Sequence, residues 1–152
     1  IVVADVIDRR LEKALQLGAW HVINGRKEDT VDRSRALFGG DGADIVFETA
    51  GSRVTAMQSF ASVRRCGEVM IVGTIPGETP VDFLKINREV KVQTVFRYAN
   101  NFPMTIQAIS SGRFDVLTMV TDEYTYENVQ KAFEESLSRK AEIIKGVIKI
   151  SD

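Results

Sequence analysis

Short apolar runs alternate with amphipathic stretches of about ten residues along most of the chain, and this rhythm restricts the fold more than any other feature. Ile1 to Ala4 is apolar and ends on Asp5. Leu11, Ala14, Leu15 and Gly18 then recur at helical spacing, with Gly18 as the stop. His21-Val22-Ile23 forms a second run, closed by Asn24-Gly25, and Asp29 or Thr30 caps a helix through Leu37 that Gly39 and Gly40 end. Ala43 to Phe47 is the third strand. From Gly51 a helix carries Val54, Met57 and Ala61 as one stripe, with Ala56, Phe60 and Val63 beside it, and ends at Gly67. Val69 to Val72 is the fourth strand. A loop from Pro76 to Pro80 leads to a fifth, Val90 to Phe96, and Phe102, Ile106 and Ile109 mark a helix that Gly112 ends. Such alternation predicts βαβ units and a parallel sheet, and the continuous apolar character of the strands predicts that both faces are covered.

Beyond Gly112 the rhythm changes. Leu117 to Val120 reads as a strand, Val129, Ala132, Phe133 and Leu137 as a helix, and Ile143 to Ile150 as a last strand. The expected boundary therefore divides residues 1–112 from residues 113–152. Ile1-Val2-Val3-Ala4 reads as the middle of a buried strand, so a longer protein is expected, with a segment ahead of residue 1.

Composition narrows the function classes. The 152 residues are 44% apolar and 27% charged, which suits a globular domain. A net charge of −1 argues against a nucleic-acid surface spread over the molecule. No apolar run approaches the roughly 18 residues a bilayer span needs, and the charged turn Asp8-Arg9-Arg10 comes too early for a cleavable signal. One cysteine, Cys66, excludes an intramolecular disulfide and fits a reducing, cytoplasmic setting.

An acidic side chain at the carboxyl end of a parallel strand, just before a helix, can accept both hydroxyls of an adenosine ribose, and Asp5 stands at such a place. Its charge repels a 2′-phosphate and so favours NAD over NADP, although Arg9 and Arg10 are good phosphate partners. Arg10 lies one turn on, where it could close over the same ribose. The plainer reading of Asp5 is a helix cap. Three further strand ends, Thr49-Ala50-Gly51, Val72-Gly73-Thr74 and Phe96-Arg97-Tyr98, stand where ligands bind in open parallel sheets, and their glycines let a flat cofactor approach the backbone. Each glycine taken singly is an ordinary turn glycine. His21 and Cys66 lie in different units and make no metal site. They read as a partly buried structural residue and a small packing residue. Arg26-Lys27-Glu28-Asp29 reads as a solvated turn, Glu134-Glu135 with Arg139-Lys140 as helix-surface charge, and Trp20 as packing at a helix-to-strand corner.

Taken together and in order, several motifs resemble the zinc-dependent medium-chain alcohol dehydrogenases. They are Asp5, Arg10-Leu11, Leu17-Gly18-Ala19, Glu48-Thr49-Ala50-Gly51, Gly67 with Val72-Gly73, and Val95-Phe96-Arg97-Tyr98. Phe96-Arg97-Tyr98 with Asn101-Phe102-Pro103 is most similar to the polyol branch, the sorbitol and xylitol dehydrogenases. The match starts at the second strand of that family's cofactor domain. The resemblance implies a Rossmann-like, doubly wound parallel sheet lacking its first strand and glycine-rich loop, with residues 113–152 returning to the catalytic domain. It implies Asp5 and Arg10 at the adenosine ribose and Ala50 and Gly51 on the adenine side. Val72, Gly73 and Thr74 would lie toward the nicotinamide, and the Phe96 and Arg97 backbone at its carboxamide. Arg97 and Tyr98 would face the polyol, and Lys145 the pyrophosphate. It implies NAD as cofactor, zinc held by residues outside this chain, and a homo-oligomer at full length with edge strands near Val92 to Phe96 pairing across subunits. Without the first strand, two rows of backbone groups are expected to stand unpaired in the middle of the sheet, and the 152 residues alone are expected to catalyse nothing. Competing readings are another zinc alcohol, diol or threonine dehydrogenase, a zinc-free quinone or enoyl reductase, and a nucleotide-binding module without catalysis.

Overall fold

The structure is a computed structural model that describes residues 1–86 and 88–150. It packs as two compact units. The first comprises residues 1–6 and 20–98, the second residues 7–19 and 99–152.

The first unit holds two parallel sheets. In one, β1 (Val2–Asp5) pairs with β2 (His21–Asn24), Asp5 lying opposite Asn24. In the other, β4 (Val63–Ile71) lies between β3 (Ala43–Glu48) and β5 (Lys91–Thr94). β1 and β3 do not pair with each other, so each keeps an edge without a strand partner among the described residues. That outcome matches the expected pair of open rows. It also corrects the expectation of full cover: Ile45 and Phe47 on β3 remain 50% and 62% exposed.

Local chemistry sets the helices. In α2 (Thr30–Leu37) Asp29 is the N-cap, its carboxylate accepting from the Asp32 amide at 2.8 Å. In α3 (Arg53–Ser62) Ser52 is the cap, accepting from the Thr55 amide. The buried face of α3 is Ala56, Ser59 and Ser62, whereas Val54 and Met57 are exposed. The apolar stripe read from the sequence is thus turned outward, because small side chains let the helix lie close on the sheet. This helix stops at Ser62 rather than Gly67. Residues 64–67 bulge from β4, since Val63 faces Ala43 but Glu68 already faces Ile45. A short helix, α4 (Phe83–Ile86), leads toward β5. The core is small: Ile23, Val63 and Val69 are its fully buried apolar side chains, with Ala43 and Ala56.

The second unit contains α1 (Asp8–Gln16), α5 (Phe102–Ser110), α6 (Val129–Ser138) and a parallel pair, β6 (Val120–Thr125) with β7 (Lys145–Lys149). Leu117–Met119 is a 3-10 turn, not a strand. Asp115 holds it, accepting from the Thr118 amide and, through its carbonyl, from the Thr118 hydroxyl. Leu11 and Ala132 are buried. Glu135 is not plain surface charge. It accepts from the Tyr124 hydroxyl at 2.8 Å and from Arg139, which also reaches Asp122 and Glu142. No helix among the described residues is long and apolar enough to cross a membrane.

Candidate functional site

Backbone contacts bring two of the strand ends in the first unit together. β3 ends on Glu48, whose carbonyl accepts from the amides of Val72 and Gly73 at 2.8 and 2.9 Å, so the exit of β4 is tied to the end of β3. The two turns that follow are pressed backbone against backbone. A Cβ at Gly73 would meet the Gly51 nitrogen and stand 2.5 Å from Glu48 Oε2, and one at Gly51 would stand 2.9 Å from the Thr74 carbonyl oxygen. Gly51 also has φ +70, which a side chain would strain. Glycine is therefore required at both positions by contact. Ala50 precedes this junction, and Val72 and Thr74 present exposed side chains beside it.

Asp5 closes β1 and is half-buried; its Oδ1 accepts from the Val6 amide at 2.7 Å, a turn bond at the strand exit. Arg10 belongs to the second unit, where its Nη2 donates to the Lys140 carbonyl at 3.3 Å. Asp5 belongs to the first unit and Arg10 to the second. Phe96 and Tyr98 are 86% and 63% exposed, and the Arg97 guanidinium lies 5.4 Å from the centre of the Phe96 ring. Arg97 holds φ +55, an uncommon conformation for a side-chain-bearing residue. Lys145 starts β7 in the second unit, opposite Val120, with an exposed side chain.

One residue of this site escapes a reading by residue type. Glu48 is 2% exposed. Its Oε1 accepts from the Gly51 amide at 2.8 Å and from the Thr55 hydroxyl at 2.6 Å, while its Oε2 is buried with no hydrogen-bond partner. The Glu48-Thr49-Ala50-Gly51 motif contains it, but an acidic residue closing an apolar run reads equally well as solvated.

Among the described residues no group of three or more His, Cys, Asp or Glu side chains could hold a metal ion. Cys66 is exposed rather than packed, with φ +54 and its thiol 3.5 Å from Glu89 Oε2, because it rides on the bulge of β4. His21 is half-buried, its Nε2 3.2 Å from Arg33 Nη2. Trp20 is 62% exposed and tilts against His21 and Phe38.

Comparison with known proteins bears on the family and fold of the chain. Residues 1–111 match the family model of the zinc-binding dehydrogenases. All 152 residues align, at 62% identity, with an uncharacterized zinc-type alcohol dehydrogenase-like protein, YdjJ, of Escherichia coli strain K12, covering 44% of its length. A sorbitol dehydrogenase of Bacillus subtilis strain 168 is 37% identical over 97% of this chain and 42% of its own. A crystal structure of an oxidoreductase/dehydrogenase of unknown specificity from Escherichia coli superposes on the whole chain with a TM-score of 0.95 and 62% identity, again over 44% of that protein. The chain thus spans less than half the length of the relatives it matches. By its sequence, its parallel α/β sheets and its Rossmann-type fold, it belongs to the zinc-binding dehydrogenase family.

Proposed function

We propose that this chain supplies the NAD-binding part of a zinc-dependent oxidoreductase that interconverts a polyol of the sorbitol or xylitol kind and its ketose. The observation that carries the dinucleotide reading is the junction of the Gly51 and Gly73 turns at the ends of β3 and β4, where two backbones meet with no side chain between them. Asp5 at the end of β1 fits a ribose diol, and a carboxylate there disfavours a 2′-phosphate. Ala50 and Gly51 would line the adenine side, and Val72, Gly73 and Thr74 the nicotinamide side. The Phe96 and Arg97 backbone would hold the carboxamide. Arg10 and Lys145 would meet the ribose and pyrophosphate. When bound, the dinucleotide supplies the hydride acceptor for an alcohol carbon. The described residues do not fit a zinc site.

Arg97 and Tyr98 offer a fixed cation and a phenol, a pair suited to several hydroxyls at once. The sorbitol dehydrogenase of Bacillus subtilis among the relatives supports the polyol reading. Residues 1–112 are assigned to the dinucleotide-binding domain and 113–152 to the return into the catalytic domain. β5, exposed along its length, is assigned to pairing with a second copy. The single thiol fits a cytoplasmic setting.

The test is steady-state oxidation of sorbitol, xylitol, ethanol and threonine by the intact native protein with NAD and added zinc. The polyols are expected to give the highest kcat/KM, and Arg97→Ala to lower that value for polyols by about tenfold or more, the loss of one charge-assisted contact. Preferential turnover of ethanol or threonine, or an Arg97→Ala enzyme unchanged on polyols, contradicts the assignment.

A further inference from the structure

Among the described residues of the first unit, Glu48 is the one acidic side chain that is completely buried, and its bonds tie three segments to a single residue. Its carbonyl receives the Val72 and Gly73 amides. Its Oε1 receives the Gly51 amide and the Thr55 hydroxyl. Thr55 is in turn locked to the N-cap of α3, since its hydroxyl lies 2.8 Å from Ser52 Oγ and its amide donates to that oxygen at 3.1 Å. One residue thereby fixes the end of β3, the first turn of α3 and the exit of β4. The second carboxylate oxygen points at the Gly51–Gly73 junction, where a Cβ on Gly73 would stand 2.5 Å away, and it has no hydrogen-bond donor. A buried acceptor without a donor works against stability. Such groups are rare in folded proteins, and each calls for a specific explanation.

We infer that Glu48 is a positioning residue for the dinucleotide: its carboxylate sets the spacing of the Gly51 and Gly73 turns, and that spacing sets affinity for the bound nucleotide. This rests on the dinucleotide reading above. The chemistry asks for an acceptor-only group. Both partners of Oε1 are donors, and a carboxylate offers no hydrogen that could face either of them. Glutamine has the same shape but must turn its NH₂ either toward those donors, losing the acceptor, or to the place of Oε2, where it sets an unpaired donor against the Gly51–Gly73 junction. Neither orientation keeps the junction as it is.

The experiment uses the intact native protein with NADH as probe, comparing wild type, Glu48→Gln and Thr55→Val. NADH dissociation constants are measured by calorimetry, with KM for NAD, kcat, and amide exchange at Gly51 and Gly73. Glu48→Gln is expected to weaken NADH by about tenfold, the effect of losing one buried hydrogen-bond arrangement. KM for NAD is expected to rise with it, while kcat and KM for the alcohol stay near wild type, and the Gly51 amide to exchange faster. Thr55→Val removes one donor but keeps the carboxylate, and a smaller shift in the same direction is expected. A merely structural role would lower the folded fraction, and so kcat, without moving the dissociation constant. Folded Glu48→Gln and Thr55→Val proteins that bind NADH as wild type does would overturn the inference and leave the dinucleotide reading intact. Should Glu48→Gln fail to fold, the Thr55→Val dissociation constant decides in the same way. Wild-type protein that binds neither NADH nor NADPH would overturn both.

Discussion

Gly73 is the residue whose replacement reads most directly on how the two turns meet. A methyl group there would run into the Gly51 nitrogen and Glu48 Oε2, atoms fixed by backbone pairing and by a buried side chain. Gly73→Ala is therefore expected to destabilise the protein by about 1–3 kcal/mol, the usual range for forcing extra volume into a packed site. A denaturant titration checks this, and a midpoint equal to wild type would show that the turns can part freely. At this scale the sequence carries the glycines and Asp5, since a residue type with a special backbone or a charge at a strand end is visible in one dimension. It does not carry Glu48, whose burial depends on Thr55 and Gly51 folding back over it. Nor does it show Cys66 as exposed, because the bulge that lifts it out comes from the register between β3 and β4.

Between β6 and α6, a phenol and a carboxylate form a bond whose strength depends on pH. Partial burial and then the Glu135 hydrogen bond raise the Tyr124 phenol above its ordinary 10.0. The same bond, with help from Arg139 and Lys131, holds Glu135 below its ordinary 4.5. The signs are opposite. A lowered carboxyl contributes stability that is present above 4.5 and is lost as pH falls through its lowered value; a raised phenol contributes stability that is present below 10.0 and is lost as pH rises through its raised value. Tyr124→Phe is thus expected to lower the thermal midpoint at neutral pH, with the difference from wild type shrinking toward both extremes. A difference that is constant from acid to alkaline pH would show that the lost hydroxyl acts by packing alone. Element order was legible in the sequence because helical and strand periods differ. Which face of α3 is buried was not, since Ala56, Ser59 and Ser62 carry little apolar signal yet fit closest to the sheet. β6 was misplaced because Leu117 and Val120 look like a strand, and it is Asp115 that winds the chain there.

For the whole molecule, the separate sheets matter most. β1 and β3 each end beside candidate nucleotide contacts, and each leaves one edge without a partner among the described residues. The expected gap in strand order is therefore visible as two sheets, β2-β1 and β3-β4-β5. The chain belongs to the zinc-binding dehydrogenase family, and in the proposed function the choice of cofactor rests on Asp5. Calorimetric titration with NAD and with NADP, zinc absent, is the direct measurement, made on wild type and on Asp5→Ala. Submillimolar NAD binding that exceeds NADP binding, and that Asp5→Ala weakens by about tenfold, is the predicted result. NADP bound as tightly as NAD, or NAD binding untouched by Asp5→Ala, would contradict it.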